Sequence, residues 1–397
     1  MTRFLRLTFA AALLGFAGRA LADETPAMEA YGAGVARLQQ RDWKGAESEF
    51  KTAVKLKTDY AEAYDKLGQS LFNQGKVFDA VTQFKHATTI DPRFTEAWYD
   101  LGFGFENLDT EKKLKDDEKT RKKLLRTEFD DAIAAYRKAL EVVPSNDINS
   151  QANAQYRLGV LLRDEAMRAW ALAHPDDATA TAAVDQPTLE KANLKEAMLH
   201  LEAANALNMD FPENRRELGR LYDIIGRYPD AIDQYDKAIL GHKNYAEAYS
   251  DRGVAWWKSG NWDRALEDTR KATEIDPRFA GGHYNFAEVI FAHVDELKLD
   301  DKGGDRSLIH VEGQKAIDEY RVATELDPAL MPAWYGLAKA YRGYFDYPNA
   351  EKTYNKILEM DKRQHKAKVL LKELLKEEKA YESHIPKQYR DDQPKGN

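Results

Sequence analysis

The sequence predicts an all-α fold: about eight antiparallel helix pairs stacked as an α-solenoid, three of them carrying internal insertions, with a capping helix at the C-terminal end. Three observations predict it. A pattern of 34 residues recurs along most of the 397-residue chain. The string "IDPRF" ends two of the copies, at Ile90–Phe94 and Ile275–Phe279, and the 185 residues between them equal whole copies, two insertions and a short linker. Small and aromatic residues hold fixed places in every copy, as stacked helices need for close approach and for filling the gaps.

In chain order, residues 1–22 come first. Arg3 and Arg6 make a basic start, Leu7–Phe16 a short apolar core, and Ala20-Leu21-Ala22 a small-x-small cleavage site. That order reads as a secretory signal peptide. Its apolar run is about half of the ~20 residues a spanning helix needs, and Arg19 interrupts it. Cleavage removes Arg3, Arg6 and Arg19 and makes the chain more acidic than its formal net charge of -8. The expectation is a periplasmic protein with no integral membrane segment after cleavage.

The copy Ala61–Phe94 carries Tyr64, Leu67, Gly68, Leu71, Ala80, Phe84, Ala87 and Pro92. The same frame fits residues 27–60, 212–245, 246–279 and 331–364. Three more copies, 95–146, 152–211 and 280–330, fit it on either side of an insertion. The pattern resembles the tetratricopeptide repeat (TPR), an aromatic, Leu-Gly and an aromatic followed by Ala, Phe or Tyr, Ala and Pro. The resemblance implies a right-handed solenoid of paired helices A and B and a scaffold for protein–protein interaction. "IDPRF" then ends helix B, because Asp-Pro cannot continue the helical ladder, with Ile90 and Ile275 packing inward. Trp43, Trp98, Trp262 and Trp334 fall at signature positions and are expected in the core.

The insertions lie between helix A and helix B. The first, Asp109–Arg126, is densely charged and free of Pro and Gly, so both helices are expected to lengthen into a taller hairpin. The second holds "HPDDATATAAVDQP", His174–Pro187, and reads as a flexible loop. The third has Asp300, Asp301 and Asp305 near a Gly pair, but the spacing is not that of a calcium loop and a plain turn is expected. Residues 365–382 form the capping helix, with Leu371, Leu374 and Leu375 on one face and lysines opposite. Residues 383–397 are polar and proline-bearing and read as a disordered tail.

In the TPR family, helix A lines a concave groove. Carried onto this sequence, the frame places Glu62, Asp65, Gln69, Glu96, Tyr99, Phe103 and Glu106 along the N-terminal half. Along the C-terminal half it places Arg216, Arg220, Trp257, Tyr284, Phe291, Tyr335, Lys339 and Arg342, the candidate partner-binding residues. Trp, Tyr and Arg dominate binding energy at interfaces, so this half suits a peptide with some acidic character. Trp256 is the core aromatic and Trp257 points into the groove. Some family members hold a partner's C-terminal carboxylate with a Lys/Asn clamp; Asp65 and Tyr99 stand where that clamp needs Lys, which argues against it here. The alternative is a glycan- or peptidoglycan-binding or envelope-structural protein, its aromatics stacking on sugars.

Other classes are excluded. The chain has 59 basic and 67 acidic residues, not the basic balance of a nucleic-acid binder. It has no Cys, hence no disulfide, zinc-thiolate site or thiol nucleophile. There is no GxSxG, phosphate-cradling loop, GxGxxG or HExxH, and no pair of the nine histidines at i, i+4. His86, His200 and His283 read as structural. No catalytic residue, metal or cofactor is expected, and the oligomeric state is not legible.

Overall fold

The computed structural model describes residues 25–108, 118–173, 194–208, 211–299, 306–360, 362 and 364–384. The expected signal peptide at residues 1–22, the start of the first insertion, the His174–Pro187 stretch, the Asp300/Asp301/Asp305 stretch and the residues beyond His384 lie outside the described residues. Among the described residues there are seventeen α-helices and no strand. In order they are α1 (residues 25–39), α2 (Trp43–Leu56), α3 (Ala61–Phe72), α4 (Val77–Ile90), α5 (Thr95–Glu106) and α6 (Glu118–Val142). There follow α7 (Ile148–Ala173), α8 (Leu194–Leu207), α9 (Pro212–Ile224), α10 (Tyr228–Gly241), α11 (Ala246–Lys258) and α12 (Trp262–Ile275). The last five are α13 (Ala280–Leu299), α14 (Arg306–Leu326), α15 (Met331–Gly343), α16 (Tyr347–Met360) and α17 (His365–His384).

The chain forms two compact units, Met1–Glu165 with Leu199–Met209, and Ala166–Met198 with Asp210–Asn397. In the first, α2 to α6 each pack on the next helix; in the second, α9 to α17 do the same. Alternate helices also touch, so α9, α11, α13 and α15 form one continuous row within the second unit.

Six of the helix pairs close on one ring, while Leu201 and Thr269 take its place in the other two. Phe50, Phe84, Tyr136, Tyr235, Tyr320 and Tyr354, all on second helices, are buried. Burying such a ring contributes about 1.5–3 kcal/mol. The partner position must be small. A Cβ on Gly68 would meet the Phe84 ring at 2.5 Å, and one on Gly219 the Tyr235 ring at 2.7 Å.

The "IDPRF" turn has its own chemistry. Asp91 leaves the helix in an extended conformation, φ -122° and ψ 95°. Its carboxylate accepts the Arg93 N–H at 2.9 Å, and Asp276 accepts that of Arg278 at 2.9 Å. The Pro carbonyl is satisfied from the next helix: Trp98 Nε1 donates to Pro92 O at 2.9 Å and Trp334 Nε1 to Pro328 O at 3.0 Å. His283 Nε2 meets Pro277 O at 3.1 Å, so it takes the place of an indole.

This corrects the expected core tryptophans. Trp43, Trp98, Trp262 and Trp334 are half-buried; for Trp98 and Trp334 the reason is that an indole whose N–H must reach a turn carbonyl sits at the rim. Ile90, Ile275 and Trp256 are half-buried too, and Arg264 lies 4.6 Å over the Trp256 ring. At the first insertion α5 ends at Glu106 and only α6 runs long; at the third, α13 and α14 both run long, at 20 and 21 residues.

Candidate functional site

The candidate residues all lie in the second unit, on α9, α11, α13 and α15. The structure places them in one row but gives them unequal freedom. Arg216 Nε donates to Asp251 at 2.7 Å, and the guanidinium lies 5.9 Å over the Tyr245 ring. Lys258 Nζ donates to Asp223 at 2.6 Å. Arg342 Nε donates to Glu377 at 2.8 Å, across to α17. These pairs share one spacing: each links residues 35 apart, a repeat length plus one. Asn285 donates to Ser250 at the same spacing, 2.9 Å. The row is a ladder of charges already satisfied by the neighbouring helix.

That ladder corrects the expectation of free arginines. Arg216 and Arg342 are both tied to the neighbouring helix: the more buried Arg216 would cost several kcal/mol without its carboxylate, while the part-exposed Arg342 pair contributes far less. Arg220 remains the accessible arginine: its side chain is 42 % exposed and pairs only within its own helix, with Glu217 at 3.2 Å. Lys339 is exposed, its Nζ 4.8 Å from the Phe291 ring. Phe291 itself is 4 % exposed and belongs to the core with Phe286, Ile290 and Tyr320. It is a packing residue, because the lengthened α13 and α14 enclose it.

The three remaining aromatics are half-buried. Trp257 packs toward Trp262 with ring centroids 6.4 Å apart, and Trp262 stacks on His293 at 5.2 Å. Trp257 therefore sits at the turn end of the row. Tyr284 leans on Tyr320 at 6.2 Å, and burial pushes its phenol well up. Glu288 accepts from the Tyr320 hydroxyl at 2.7 Å; burial raises that carboxyl despite the hydrogen bond. Tyr335 donates to Gln364 at 3.4 Å and carries Lys366 5.4 Å over its ring. Gln364, just before α17, and Lys366 within it thus shape the row's last rung.

Comparison with known proteins joins this geometry. Family models described as "Tetratricopeptide repeat" match residues 31–93 and 246–279. The chain carries tetratricopeptide repeats. A tetratricopeptide repeat protein from Parabacteroides merdae superposes with a TM-score of 0.51 at 14% identity, covering 80% of this chain and 99% of that one. That likeness concerns the fold. Hsp70-Hsp90 organizing protein 3 of Arabidopsis thaliana is 33% identical over 26% of this chain and 19% of its own length. Hsp70-Hsp90 organizing protein 1 of Glycine max is 30% identical over 36% of this chain and 22% of its own length. The chain spans about a fifth of the length of these relatives.

At the positions where a TPR carboxylate clamp needs Lys, the first unit carries a buried Asp and a half-buried Tyr. Asp65 is fully buried. Gln69 Nε2 donates to Asp65 at 3.0 Å and to Asp100 at 2.6 Å, and Lys66 Nζ reaches Asp65 at 3.2 Å. Asp65 Oδ1 has no hydrogen-bond partner. Burial first, then the Asp100 charge, raises the Asp65 carboxyl; burial raises Asp100 as well. Tyr99 is half-buried against Tyr136 at 5.5 Å, and Arg157 lies 4.9 Å over Phe103. Glu62 and Glu96 remain exposed. This face presents carboxylates, the wrong sign for an anionic terminus.

Among the described residues no cluster of His, Cys, Asp and Glu is arranged to hold a metal, and no helix is long and apolar enough to cross a membrane. The ion-pair ladder was missed in the sequence. Its signal was there: opposite charges 35 residues apart on successive first helices.

Proposed function

We propose that this TPR chain is a non-catalytic scaffold that binds a peptide or protein along α9, α11, α13 and α15. The observation that carries the reading is the row itself: half-exposed Trp257, Tyr284 and Tyr335 beside the accessible cations Arg220 and Lys339. Aromatic and cationic groups on a rigid helical row supply large contact area at small entropic cost. Because Arg216 and Arg342 are already neutralised, the partner needs little net acidity. The signal-like order of residues 1–22 supports a periplasmic location and a role in a cell-envelope complex. No nucleic acid or cofactor enters the proposal.

The test is retention of periplasmic proteins by the wild type and by Trp257→Ala/Arg220→Ala, with helicity checked by circular dichroism. A partner held by the wild type and lost by the folded variant supports the row as the site. Equal retention by both removes it. A glycan reading has one observation in its favour. A cleft between α14, α15 and α16 combines Trp334 and Tyr341 with Asn349, Asn355 and Thr324. Two of its groups are committed, the Trp334 N–H to Pro328 and the Asn349 amide to Asp346 at 2.8 Å, so the peptide reading stands first. Binding of peptidoglycan fragments abolished by Tyr341→Ala reverses that order.

A further inference from the structure

One face of α17 has no neighbour among the described residues. The 34-residue frame continues into this helix: Ala367 stands where Ala333 stands in α15, and Leu374 where Ala340 stands, and all four are buried. In α15 a second face, through Trp334, Ala338 and Tyr341, packs on Tyr347, Ala350 and Tyr354 of α16. In α17 the matching positions are Lys368, Lys372 and Leu375. No helix follows to cover them among the described residues. Among the described residues α17 stands in the place of a first helix with no second helix packed on it.

The uncovered face is a groove. Leu358 of α16 with Leu371 and Leu375 of α17 make its floor, and Lys368, Lys372, Lys376 and Lys379 its walls. The leucines are half-buried and the lysines exposed. No carboxylate lines it, and none of the four lysines pairs with a carboxylate among the described residues. This differs from the ladder a few ångströms of helix away, where Glu377 neutralises Arg342. It also corrects the expected arrangement of α17: Leu374 is fully buried, while the lysines flank Leu371 and Leu375 instead of opposing them.

We infer that this groove docks an acidic amphipathic helix of a partner protein, which completes the pair that α17 begins. Residues 368, 371, 372, 375, 376 and 379 lie on one helical face, and a helix is the element that ridges-into-grooves packing places there. The unpaired lysines select carboxylates on its flanks. Lys372 stands where α15 has Ala338, so the large ring of an ordinary second helix does not enter. A membrane surface fits less well, because it takes protruding apolar side chains and these leucines are recessed.

The test uses the full chain and a fluorescent synthetic three-heptad peptide with Leu at the a and d positions and Glu at the flanking ones. A second peptide carries Lys in place of every Glu. Fluorescence anisotropy is read against wild type and against Lys368→Glu/Lys372→Glu/Lys376→Glu/Lys379→Glu, whose substitutions are all at exposed positions. The expected result is saturable binding of the Glu peptide, weakened at least about tenfold by the variant and by charge reversal of the peptide, and weakened by salt. The inference fails if the Glu peptide does not bind, or binds wild type and variant alike. It also fails if phosphatidylglycerol vesicles bind in the peptide's place, if the chain self-associates through this face, or if the peptide binds only after removal of residues 385–397. The Trp257/Arg220 row is untouched by these variants, so the two readings fail separately.

Discussion

Single residues in this chain carry costs that can be measured. Asp65 and Asp100 hold protons above the usual carboxylate range when folded and release them within it when unfolded. The folded state then binds more protons, so stability falls as pH rises upward from about 4. Asp65→Asn keeps an acceptor for Gln69 and removes the need to take up a proton on folding. Thermal melts at neutral pH should show it more stable by on the order of 1 kcal/mol, with a flatter pH dependence; a lower melting temperature refutes the account. His283 runs the same way for a different reason. Its bond to Glu319 at 2.6 Å raises its pKa above 6.5, so the stability it adds is complete below that value and is lost as pH rises through the raised one. Glu319→Gln should remove that dependence. Backbone strain supplies a third case. Gly75, Gly226 and Gly260 take φ of +75°, +75° and +84° in the turns between paired helices, but Arg41 takes +59° in the equivalent turn. A left-handed residue with a Cβ costs about 1–2 kcal/mol, part of which the entropy of a glycine offsets. Arg41→Gly should therefore stabilise the chain by roughly 0.5–1 kcal/mol, read as a raised denaturation midpoint.

At the scale of the element, α17 is held by unequal contacts. Leu374 is fully buried in the cluster with Tyr354, Ile357 and Ala367. Leu374→Ala should cost ~2–5 kcal/mol through lost burial and a cavity. The Arg342–Glu377 pair is part-exposed, 29 % and 44 % at the two side chains, and is worth no more than ~1 kcal/mol. Hydrogen exchange should show residues 365–384 opening readily in Leu374→Ala and only slightly faster in Arg342→Ala. Equal effects would mean that charge, and not packing, seats the helix.

For the whole molecule, repeats that contact only their neighbours make stability a sum of local terms. A substitution in α17 should shift the unfolding of the second unit and leave the Asp65-dependent pH response of the first unchanged. Amino-terminal sequencing of exported protein should begin at Asp23, after Ala22; an intact Met1 in the periplasmic fraction would remove the signal-peptide reading.

The helical class, the TPR frame, the Asp-Pro turns and the Gly-to-ring contacts were legible in the sequence, because each depends on residues within one repeat. Gly68 and Phe84 are 16 positions apart in a pattern seen five times uninterrupted, so local order fixes them. Tertiary structure alone decided what the charges do. Arg342 and Arg220 look alike in the frame, yet one faces Glu377 across a helix and the other only its own Glu217. Phe291 reads as a surface residue until long neighbouring helices enclose it. Exposure is a property of stacked neighbours, whose packing brings together side chains 35 residues apart, and periodicity within one repeat carries no information about it.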